Sequence, residues 1–157
     1  MFLTLEEVRR SIFDIVSRCE SQGQTDSIRD AFQIFFSVYR SDLPLYPESQ
    51  YFELPLDLPE TGHTHTPPAE YLVIEVPINK LYGESWLFQN NRSEGRPLPA
   101  RIANILMYLL SGQTLLPVAV IKYGDKYIVD DGNHRIYSGF IMGLETIPCR
   151  VFKEISL

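Results

Sequence analysis

The first forty residues carry two stretches in which apolar positions recur at helical period. From 4 to 22, Leu5, Val8, Ile12, Ile15, Val16 and Cys19 fall on one face of a helix. Thr4 and Glu7 have the spacing of a capping box, and Gly23 is a natural stop. From Ser27 to about Arg40, Ile28, Ala31, Phe32, Phe35, Phe36 and Tyr39 form a second stripe, with Ser27 as its expected cap. The short link Gln22-Gly23-Gln24-Thr25 predicts an antiparallel helical hairpin.

The pattern then breaks. Pro44, Pro47, Pro55, Pro59, Pro67 and Pro68 exclude a long helix between 41 and 70. The stretch reads as an extended connector wrapping the surface, or equally as a partly mobile linker. From about residue 71 the period shortens to that of strands. Tyr71 to Val76 is β-rich and is closed by Pro77-Ile78-Asn79-Lys80-Leu81. Gly83 to Pro99 reads as a loop with Trp86 and Phe88 turned inward. A helix follows from about Ala100 to Leu110, with Ile102, Ile105, Leu106, Leu109 and Leu110 on its apolar face and Gly112 at its end. Pro117 to Tyr123 and Lys126 to Asp130 form a hairpin about Gly124-Asp125. The turn Asp131-Gly132-Asn133-His134-Arg135, a helix from Ile136 to Met142, Gly143 as its cap, and a strand from about Thr146 to Phe152 complete the order. The expected architecture is α/β (α+β). A helical hairpin (1–40) and a Pro-rich connector (41–70) precede a small mixed-sheet domain (71–157).

Composition narrows the function. A chain of 157 residues with 45% apolar content can bury one core. The net charge of −6 argues against direct DNA binding, because phosphate neutralisation needs clustered Lys and Arg. Arg92, Arg96 and Arg101 form the one local concentration. No apolar run is long enough for a membrane span, and the N-terminus lacks the basic-then-apolar order of a signal peptide. Cys19 and Cys149 fit no metal-ligand spacing and read as reduced core residues, so a cytoplasmic protein is expected.

The turn at 131–135 carries the candidate chemistry. Gly132 lets the backbone come close to a ligand, and the helix that follows offers unpaired N–H groups with a dipole that favours anions. Arg135 has the donor fork that suits phosphate, or else forms a structural ion pair with Asp130 or Glu145. His134 can donate to a phosphate oxygen or shuttle a proton, or simply pack at the helix start. Asp131 suits a general base or a water-mediated Mg²⁺ ligand, and equally a helix N-cap. Asn133 suits either a site or a turn. Arg101, in the first turn of the preceding helix, either meets a phosphate or lies on a solvated face. His63-Thr64-His65 has no neighbour in metal-ligand spacing, and Tyr137 and Phe140 read as core.

Residues 71 to 152 resemble the ParB N-terminal-like and sulfiredoxin superfamily. The resemblance rests on four segments: Val76-Pro77-Ile78-Asn79-Lys80-Leu81; the helix ending in Gly112 with Leu116-Pro117-Val118-Ala119-Val120; Tyr127 to Arg135; and Gly143-Leu144-Glu145-Thr146-Ile147-Pro148-Cys149-Arg150-Val151. It implies a small α/β fold that binds ATP or CTP with Mg²⁺. Gly132, Asn133, His134, Arg135 and Arg101 would bind the nucleotide, Asp131 would serve as metal ligand, and Asp131 and His134 would be the catalytic groups. A Mg²⁺-dependent phosphotransferase or nucleotidase follows from it. Sulfiredoxins carry a reactive cysteine where this chain has Asn133, which argues against their chemistry. The arginine-rich box and helix-turn-helix of partition proteins do not follow the last strand. The alternatives are a ParB-like nuclease or DNA-associated protein, and a non-enzymatic module whose N-terminal helices dock a protein partner.

Overall fold

A computed structural model of the chain describes residues 2–55, 63–65, 72–83 and 98–157, and of 63–65 the backbone path alone. Four helices and six strands lie within these residues. The helices are α1 (Leu5–Ser21), α2 (Ile28–Val38), α3 (Pro99–Leu110) and α4 (Asn133–Met142). The strands are β1 (His63–His65), β2 (Val73–Pro77), β3 (Leu81–Tyr82), β4 (Val118–Tyr123), β5 (Lys126–Asp131) and β6 (Thr146–Ile155). The fold is mixed α/β, with the hairpin order expected.

Helix α1 begins with the full capping box: the Glu7 N–H donates to Thr4 Oγ1 at 3.1 Å, and the Thr4 N–H to Glu7 Oε1 at 3.0 Å. Helix α2 starts differently from expectation. A 3₁₀ turn at Thr25–Ser27 leads into it, Ser27 itself is already helical, and its hydroxyl caps nothing. Both helices bury the anticipated stripes, with Val8, Phe32 and Phe36 fully covered. Two outer positions differ: Tyr39 at the end of α2 and Leu110 at the end of α3 are exposed.

The sheet runs β1-β6-β4-β5-β3, and β2 also pairs with β6. Strand β6 is the spine. Along one edge it binds β2 and then β1, both antiparallel, in tandem; along the other it binds β4 in parallel. Strands β4 and β5 close an antiparallel hairpin, with a bulge near Ala119. Two short strands, β1 in the connector and β3 parallel to β5, have too few residues for a sequence pattern and exist through their pairing.

Alternation divides the sheet into two faces. Val118, Val120, Val129, Ile147 and Cys149 face the helices and share one core with α1 and α2. Ile121, Ile128 and Ile155 face the other way and are covered by Phe52, Leu54, Tyr82 and Tyr123. The first part of the connector is therefore built into the fold. Leu43 and Tyr46 are buried, the Tyr46 hydroxyl donates to the Leu81 carbonyl at 2.8 Å, and Gln50 Nε2 donates to the Ile78 carbonyl at 2.6 Å. Trp86, Phe88, Arg92 and Arg96 lie outside the described residues. No described helix is long and apolar enough to cross a membrane.

Helix α4 is gripped at its C-terminal end from α1. Arg9 Nε donates to the Ile141 carbonyl at 2.7 Å and Nη2 to the Phe140 carbonyl at 3.1 Å, placing a cation where the helix dipole is negative. Gly143, at φ 76°, lets the chain turn away beneath that guanidinium. The opposite end of α4 carries the candidate chemistry.

Candidate functional site

The turn anticipated at 131–135 is mostly helix. Strand β5 runs through Asp131, Gly132 is the N-cap, and α4 opens at Asn133. Asp131 is thus not the cap. Gly132 takes φ 123°, ψ 27°, and a Cβ there would stand 2.9 and 3.0 Å from the two Val118 methyls. Only glycine passes between strand and helix at that point. Since glycine has no side chain, no side-chain hydrogen bond caps α4. The first intrahelical bond runs from the Ile136 N–H to the Gly132 carbonyl at 3.0 Å. The N–H groups of Asn133, His134 and Arg135 come before it and have no intrahelical partner.

His134 joins this terminus to the start of α3. Its Nε2 accepts from the Leu98 N–H at 2.9 Å, and Leu98 is the N-cap of α3. Helix α3 has proline in its first turn and no side-chain cap. Two uncapped helix N-termini therefore meet at one imidazole. Burial pulls the imidazole down to about 4, and the guanidinium charges of Arg101 and Arg40 add to that shift. At neutral pH His134 is uncharged. With Nε2 accepting, the proton resides on Nδ1, which is then a donor.

Of the anticipated residues, Gly132, Asn133, His134 and Arg101 converge. Arg101 stands exposed in the first turn of α3, close enough for its charge to act on His134. The amide oxygen of Asn133 is buried and has no hydrogen-bond partner among the described residues, an acceptor awaiting a donor. Arg135 is differently engaged. Its Nη1 donates to the carbonyls of Pro117 at 2.6 Å and Leu116 at 3.2 Å, and its Nη2 lies 3.7 Å from Asp131. Its ion pair is with Asp131, not with Asp130 or Glu145, and its fork braces the entry to β4. The charge remains beside the helix terminus and the donors are largely committed. Asp131 is exposed and opens onto a shallow cleft of about 230 Å³ lined by Ala119, Asp130, Arg150 and Phe152.

Arg40, just after α2, was not singled out from the sequence. It carries no motif, and it reaches His134 only because α2 packs on α3. Among the described residues no group of three or more His, Cys, Asp and Glu could hold a metal ion. Both cysteines are buried and unbridged. The Cys149 thiol is pushed up to about 12, by burial first and Glu75 second, and donates to the Ile147 carbonyl at 3.4 Å. It stays protonated and unreactive. Tyr137 and Phe140 are core residues: the Tyr137 hydroxyl donates to the Pro44 carbonyl at 2.6 Å and Phe140 packs edge-on against Tyr46.

The lowered His134 value has a measurable consequence. As pH falls, the unfolded chain takes up this proton near the ordinary value of about 6.5, well before the folded chain does. The stability contributed by neutral His134 is complete above about 6.5, drains away as pH falls, and is gone below about 4. The urea midpoint of the parent chain should therefore fall more steeply across this window than that of His134→Gln, which retains an acceptor but cannot titrate. Parallel slopes would mean that the imidazole is not buried as described.

No family model matches this chain, and no curated protein matches it. Among solved structures, the chain is similar to the sulfiredoxin from Arabidopsis thaliana, with a TM-score of 0.40 and 20% sequence identity. The alignment covers 51% of this chain and 83% of that one. It is a likeness of fold and of nothing finer.

Proposed function

We propose that this chain binds the phosphates of a nucleotide, ATP or CTP with Mg²⁺, where α3 and α4 begin. One observation carries the reading: two helix N-termini, neither with a side-chain cap, meet at a neutral histidine within reach of arginine charge. Backbone N–H groups at a helix start, aligned with the dipole, hold oxyanions without further assistance. Arg101 and Arg40 supply charge, and His134 supplies a donor at Nδ1. Arg135 contributes a fixed positive charge while bracing β4. The unpartnered amide oxygen of Asn133 suits a hydroxyl or amino donor on the nucleoside.

Mg²⁺ fits the donor set in a limited way. The nearby carboxylate is Asp131, and magnesium commonly takes one or two carboxylates with waters and substrate phosphates. Its contribution would be to shield phosphate charge. Asp131 lies at the seam between the helix start and the open cleft. There it can accept the proton of a hydroxyl or water that attacks the terminal phosphorus as the bridging oxygen leaves. Phosphoryl transfer or nucleotide hydrolysis is the reaction class this suits.

Titration calorimetry with ATP and with CTP, each with Mg²⁺, tests the binding. We expect saturable binding of at least one. Arg101→Ala and His134→Ala should each weaken it roughly 10- to 100-fold, the effect of removing a hydrogen bond to a charged group. An absence of binding at millimolar nucleotide overturns the reading, and so does binding indifferent to both substitutions.

A further inference from the structure

We propose that the outer face of the α1–α2 hairpin is a dimerisation surface on which a second copy of this chain docks about a two-fold axis. Ile34 and Val38 stand on α2 with 64% and 66% of their surface exposed, and neither belongs to the core. They form a ridge with a groove on each side. The larger groove, between α1 and α2, is floored by Ile15, Ala31 and Phe35 and rimmed by Asp14 and Arg18. The smaller runs along the far flank of α2, beside Gln33 and Ser37. A ridge bordered by its own groove fits a copy of itself. Each copy's Ile34 and Val38 can enter the other's α1–α2 groove, as ridges enter grooves in packed helices. Such a contact is self-complementary and closes at two subunits.

Charge selects the second copy as the occupant. The whole chain carries −6, so two copies repel across most orientations. This face is locally balanced. Asp14 and Arg18, one turn apart on the rim, have opposite signs, and Asp30 lies 3.6 Å from Arg29. The flank that meets the rim carries Asp30, whose charge can face the partner's Arg18, beside uncharged Gln33 and Ser37, which can hydrogen-bond to either sign. A nucleic acid finds no basic patch here, and a cationic segment finds no acidic one. The size suits a weak dimer. A 17-residue helix is about 25 Å long and two packed helices are about 20 Å wide, an outline of roughly 500 Å², below the roughly 800 Å² per partner of a standard interface.

Sedimentation equilibrium of the full chain, from micromolar to hundreds of micromolar, reads the outcome. The parent should show a monomer–dimer equilibrium. The double substitution Ile34→Glu with Val38→Glu should raise the dimer dissociation constant roughly 100-fold or more with the circular dichroism spectrum unchanged. Phe13→Glu, at a residue equally exposed on α1 but outside both grooves, should leave it unaltered. A parent that remains monomeric throughout overturns the proposal. So does a dimer that survives the double substitution, or one that Phe13→Glu disrupts to the same degree.

Discussion

Phe32→Ala should lower the stability of this chain by about 3–5 kcal/mol, the usual cost of emptying a fully buried aromatic site. Phe32 has no exposed surface, and it sits where α2 meets α3 above the sheet. The cavity would open within a core that Phe32 shares with Val8 and Ile12 of the hairpin, Ile102 and Leu106 of α3, and the sheet. Its walls belong to separate elements braced elsewhere, so collapse is incomplete. A domain of this size has roughly 5–15 kcal/mol in all. The loss should therefore appear as a large drop in urea midpoint with an unchanged slope. The substitution also tests whether hairpin and sheet share one core. If they melt separately, the variant should show two transitions, with the sheet signals unaffected.

Gly132→Ala is the second. Two costs act together. A φ of 123° lies far from any basin open to alanine, and the new methyl would press on both methyls of Val118, which has no exposed surface. Strain and overpacking together should cost roughly 2–4 kcal/mol. The two parts can be separated. Val118→Ala in the same chain removes the clash and leaves the backbone strain. The double variant should then be less destabilised than the sum of the singles, by at least about 0.5 kcal/mol. Strict additivity would mean that the methyl never meets Val118. The binding consequence runs in parallel, because pushing the start of α4 away from β4 displaces the N–H groups proposed to hold phosphate.

What could be read from the residues, and what could not, follows from the range of each interaction. Thr4 with Glu7, the stripes of α1 and α2, the β4–β5 hairpin and the Gly143 cap are all set by neighbours a few positions apart, and each was legible. Strands β1 and β3 were not, because three and two residues acquire strand geometry only from β6 and β5. The start of α4 was misplaced by one turn. Asn133, His134 and Arg135 have no apolar periodicity, and they became helical because Gly132 allows the chain to turn at once. Of the two roles open to Asp131, the cap falls instead to Gly132. The role of Arg135 was half legible. Its place beside the helix terminus follows from spacing, but its bonds to the Leu116 and Pro117 carbonyls depend on where β4 enters. The meeting of His134 with Leu98, 36 positions away, could not be foreseen, nor could the influence of Arg40.

The position of β6 bears on how the molecule is made. It is the last of the described strands to leave the ribosome, yet β1, β2 and β4 all depend on it. While the chain is still being synthesised, the hairpin can form and β4 can meet β5, but β1 and β2 wait with exposed edges for a neighbour not yet translated. Assembly of the whole sheet therefore waits until β6, Thr146–Ile155, has been made. Nascent chains stalled before residue 146 should be the forms most dependent on chaperones.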